Sequence, residues 1–167
     1  MSARIACVLV AGAMAIACSS PTNGGTHAVG SPSPSTGTYL GSLGTAGCKP
    51  PAPVHGWQGA AGFPEVGVDS SRGSFWALFF TPVPPPSGQD IKVVWRMTGT
   101  GAFTFKASDA DGNTVAPDWG PDAHGGSNWN HRGDEVGTGF TFPHAGCWNI
   151  HVARSDVAAD LWVEVAS

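Results

Sequence analysis

The chain has 167 residues and a formal net charge of -4, with its basic residues scattered, so it has room for one modest domain and no basic patch for nucleic acid. Only 12% of the residues are charged, while Gly (24) and Pro (14) together make up nearly a quarter of the chain. That composition excludes long helices as the main element and predicts many turns between short strands.

The N-terminus carries one positive charge, Arg4, followed by an unbroken apolar and small-residue run over 5–17. This is the pattern of an export signal, and it is too short for a bilayer, which needs about 20 apolar residues. The junction Ala15-Ile16-Ala17-Cys18 resembles the lipobox of bacterial lipoproteins. The resemblance implies removal of 1–17 as a signal peptide and acylation of Cys18 by a palmitoyl-type lipid. The protein would then be held on the extracytoplasmic side of the cell membrane through that anchor. Ala15 stands where such motifs generally place Leu, which keeps open the alternative of ordinary cleavage after Ala17 and plain secretion. Residues 18–47 are rich in Ser, Thr, Gly and Pro, and a disordered tether is expected there.

Of four cysteines, Cys7 leaves with the signal and Cys18 takes the lipid, which leaves Cys48 and Cys147. In an oxidising compartment this pair reads as one disulfide closing a domain over 48–167. A reactive thiolate at Cys147 would need a reduced thiol in that compartment, and no Cys-x-x-Cys spacing supports a metal.

The apolar period within the domain is two. Ile91, Val93, Trp95 and Met97 share one strand face while Lys92 and Arg96 take the other. Further strands are expected over 75–80, 102–107, 137–142, 148–153 and 160–166, with a seventh near Val66. Residues 74–81 are apolar on both faces, which suits a central strand ended by Pro82. Asp109-Ala110-Asp111-Gly112-Asn113 has the glycine too early for a calcium loop and reads as a turn.

The stretch Phe140-Thr141-Phe142-Pro143-His144-Ala145-Gly146-Cys147-Trp148-Asn149-Ile150-His151-Val152 resembles the penultimate hairpin of bacterial immunoglobulin-like domains. The resemblance implies an all-β, immunoglobulin-like antiparallel β-sandwich. Trp148, Ile150 and Val152 would then enter the core, and Cys147, Asn149 and His151 would face away. The motif belongs to a fold of many functions and carries no site residues with it.

Residues 108–135 lack a regular pattern and hold Trp119, Trp129, His124 and His131 among Asn, Asp and Gly, so a long functional loop is expected. The first reading is recognition of a saccharide or another cell-envelope ligand, with Trp119 and Trp129 as apolar platforms and Asn128, Asn130 and Arg132 as hydrogen-bonding partners. The second is a metal-binding protein or metal-dependent hydrolase using His124 and His131 with Asp134 or Asp122. The third is a structural plug with both tryptophans buried. His27, His55, His144 and His151 are scattered and read as solvated or satisfied. No Gly-x-Ser-x-Gly or His-Glu-x-x-His motif is present, so a binding or interaction module is expected rather than an enzyme, and no cofactor.

Overall fold

The computed structural model describes residues 37–44, 47–48 and 63–167. The expected signal peptide, Cys18 and the tether up to residue 36 lie outside the described residues.

Ten strands and no helix make up the described chain: β1 (Thr38–Gly44), β2 (Glu65–Ser70), β3 (Gly73–Phe79), β4 (Asp90–Met97), β5 (Thr104–Ser108), β6 (Thr114–Val115), β7 (Trp119–Ala123), β8 (Asp134–Thr141), β9 (Gly146–Ala153) and β10 (Val157–Val165). They form two sheets. The first has the order β1-β10-β9-β5-β6 and the second β2-β3-β4-β8-β7. All neighbours whose register is defined run antiparallel except β1, which lies parallel to β10.

The period-two faces meet in one core shared by both sheets. Phe75, Val93, Trp95 and Phe140 come from the second sheet, and Trp148, Ile150, Leu161 and Val163 from the first. Trp95 lies 5.2 Å from Phe105 across the layers, ring centroid to centroid, and Phe142 lies 5.4 Å from Trp148. Each buried indole keeps its N–H satisfied: Trp95 donates to Thr138 Oγ1 at 2.7 Å and Trp148 to the His144 carbonyl at 3.2 Å.

Residues 140–152 do not form the expected hairpin. β8 pairs with β4 and β7 in the second sheet, and β9 pairs with β10 and β5 in the first, so the Pro143–Gly146 corner carries the chain from one sheet to the other. The inward residues are nevertheless the expected ones, with Trp148, Ile150 and Val152 fully buried. Residues 109–113 form a turn. The Asp109 carboxylate accepts from the Asp111 and Asn113 amides at 3.0 and 2.8 Å and from the Asn113 side chain at 2.7 Å, and that side-chain donor is the main reason its carboxyl is held below the ordinary range.

β1 corrects the expectation that the tether runs to residue 47. Its two core residues, Leu40 and Leu43, are three apart, which a regular strand would send to opposite faces. A bulge between Tyr39 and Ser42, with Gly41 at a φ of 129°, resets the phase so that both enter the core. Cys48 follows, and its disulfide to Cys147 on β9 closes a separation of 99 residues.

Tyr39 is the only tyrosine in the chain, and its hydroxyl donates to Asp160 Oδ2 on β10 at 2.6 Å. Partial burial, then the Asp160 hydrogen bond and charge, push its pKa up to about 12. Ultraviolet difference titration should therefore show no tyrosinate at pH 10 in the folded chain, and Asp160→Asn should bring the transition down. The neutral phenol is favoured by folding, so its contribution is fully present below pH 10, the ordinary value, and is lost as pH rises towards 12. An ordinary titration in the folded chain would mean that β1 is not docked.

Candidate functional site

The residues that alternate with the core make the outer face of the second sheet. Glu65, Leu78 and Val94 lie abreast on β2, β3 and β4, and the next row holds Gly67, Trp76, Arg96 and Glu135. The apolar outer side of β3 is what made 74–81 read as buried on both faces, and a cover is required.

Residues 124–133, between β7 and β8, supply that cover as a strap. Glycines first clear the surface: a Cβ on Gly67 would run into the Trp76 ring, and one on Gly139 into Trp119, so both indoles rest on bare backbone. The His131 imidazole then stacks on Trp76, centroids 3.7 Å apart and planes 8° from parallel. Arg96 pins the strap from below, donating Nη1 to the His131 carbonyl at 2.7 Å and Nε to Glu135 Oε2 at 2.6 Å. At the far edge Arg132 reaches Asp69 Oδ1 at 3.2 Å. Trp129 donates its indole N–H to Glu65 Oε2 at 2.5 Å, and His131 Nε2 lies 3.3 Å from the same oxygen.

Between strap and sheet lies a cavity of about 550 Å³. Leu78 and Val94 with Phe63 and Phe80 give it an apolar surface, Glu65 contributes a carboxylate, and residues 127–131 contribute the polar side. A volume of this size, mostly apolar with a few placed polar groups, is that of a small-molecule site.

Among the residues expected to bind ligand, Asn128, Trp129 and Asn130 are at the cavity and Trp119 and Arg132 are not. Trp119 lies over β8 with its N–H 3.3 Å from both carboxylate oxygens of Asp90. It is part of the sheet surface, and residues 119–123, expected inside an irregular loop, form an edge strand. The three proposed metal ligands are each taken up separately: His124 Nδ1 is 2.7 Å from Glu135 Oε1, His131 sits between Trp76 and Glu65, and Asp134 pairs with Arg154 at 2.6 Å. Asp122 is exposed on β7. Among the described residues no group of three or more His, Cys, Asp or Glu side chains is arranged to hold a metal ion.

Phe63, Glu65, Leu78, Phe80 and Val94 are site residues that the sequence reading missed. Glu65, Leu78 and Val94 reach the cavity by strand pairing across long separations, and the one local signal was the surplus apolar face of β3.

No protein-family model matches the chain, and no curated protein matches it.

Proposed function

We propose that this protein is an extracytoplasmic binding module, anchored to the cell membrane through acylated Cys18, or secreted if cleavage follows Ala17 without lipidation. The domain is read as an immunoglobulin-like β-sandwich. The order β10-β9-β5 supports this as the three-strand sheet of such a fold, extended by β6, and β4-β8-β7 as its opposing sheet, with β2 and β3 added at one edge. The disulfide departs from the inter-sheet bridge of antibody domains, because Cys147 on β9 joins Cys48 beyond β1 in the same sheet.

The observation that carries the binding reading is the cavity of about 550 Å³ between strap and sheet. A loop with the residue types of a recognition surface closes over an apolar sheet face and leaves a space for a ligand instead of filling it. The ligand has an apolar face to set against Leu78 and Val94 and a polar edge for Asn128 and Asn130. A saccharide ring is one such ligand, favoured by the placement of Trp129 between the two asparagines.

Trp129→Ala tests the reading. Any small ligand that raises the unfolding midpoint of the oxidised full-length chain should lose at least about 2 kcal/mol of affinity in this variant, roughly thirtyfold in Kd. Unchanged affinity in Trp129→Ala would place the ligand elsewhere.

A further inference from the structure

Glu65 differs from Glu135 and Asp69 on this face of the molecule. Glu135 is paired with Arg96 and Asp69 with Arg132, whereas Glu65 pairs with no lysine or arginine among the described residues. Its side chain is only 17% exposed, and its carboxylate is met by the Trp129 indole N–H and the His131 imidazole, which carries a full charge only when protonated. A neutral ligand filling the cavity would strip remaining water from this carboxylate and return no charge, which is costly. A cationic one would compensate it.

The rings point the same way. Phe63 and Phe80 lie with centroids 4.7 Å apart at the cavity, and Trp129 hydrogen-bonds Glu65 itself. Aromatic faces attract ammonium groups, best when the cation is desolvated. One face of Phe80 is already taken by the Lys92 ammonium, 4.5 Å from its centroid, which leaves the Phe63 and Trp129 rings for a ligand cation.

We propose that the ligand of this cavity is an organic cation whose ammonium group is seated by Phe63 and Trp129 against the Glu65 carboxylate. This rests on the cavity being the binding site. A protonated His131 would compensate Glu65 from within and compete with such a ligand.

The test compares choline with its neutral isostere 3,3-dimethylbutan-1-ol, alongside glucose, by calorimetric titration of the oxidised full-length chain. Choline should bind at least about tenfold more tightly than the isostere. In Glu65→Gln, which keeps an oxygen for the Trp129 indole, choline should lose most of its advantage over the isostere, with an unchanged unfolding midpoint reporting an intact fold; an unchanged advantage would overturn the pairing with Glu65. Equal binding of the two probes, or binding of glucose alone, weakened by Trp129→Ala, would overturn the cation and keep the cavity. Failure of all three to bind, or binding untouched by Trp129→Ala, would overturn both.

Discussion

Removing the Cys48–Cys147 disulfide, by reduction or in the Cys48→Ser/Cys147→Ser double variant, is expected to lower stability by about 4 to 5 kcal/mol. The bridge spans 99 residues, and the chain-entropy model gives about 4.7 kcal/mol for a loop near 100 residues. That approaches the entire stability of a marginal small domain. It also holds the chain directly after β1, the parallel edge strand of the first sheet, so β1 should be the first element to lose protection from hydrogen exchange. Denaturant unfolding with and without reductant measures the loss. Equal midpoints would mean that the bridge does not constrain the unfolded chain as its length requires.

The second large effect is expected at Arg96. Glu135 is 3% exposed at its side chain and takes its permanent positive partner from Arg96 Nε. Arg96→Ala leaves that carboxylate buried beside only His124, and breaking such a pair from one side costs about 3 kcal/mol or more. It also releases the His131 carbonyl, and with it the strap, so ligand binding should weaken as well. The Arg96→Ala/Glu135→Gln double variant should recover a large part of the stability, because the uncompensated charge is gone, but none of the binding. If Arg96→Ala alone unfolds at the wild-type midpoint, the pair is not what pins the strap.

What was legible in the sequence is local. The alternation in 91–97 and in the last strand, the inward Trp148, and the pairing of Cys48 with Cys147 each depend on a few adjacent residues or on counting. β1 was hidden because its bulge breaks the period-two rule, so Leu40 and Leu43 do not read as one face. The route of 140–152 was hidden because inward residues look alike whether the next strand stays in its sheet or crosses to the other. Half of the site was legible for the same reason: Asn128, Trp129 and Asn130 stand together in the chain, while Glu65 and Val94 meet Leu78 only through pairing between strands. Trp119 and Trp129 have similar surroundings in sequence. Gly139 on a neighbouring strand gives Trp119 a seat on bare backbone, and nothing near Trp119 in the chain records that.

The most direct test of the central claim is the nuclear magnetic resonance spectrum of the seven indole N–H groups as a stabilising ligand is added. The Trp129 signal, whose N–H rests on Glu65 at the cavity, should shift with saturation at the measured Kd while those of Trp95 and Trp148 in the core stay in place. A ligand that stabilises the fold while moving Trp162 on the first sheet and leaving Trp129 unchanged would contradict a binding site beneath the strap.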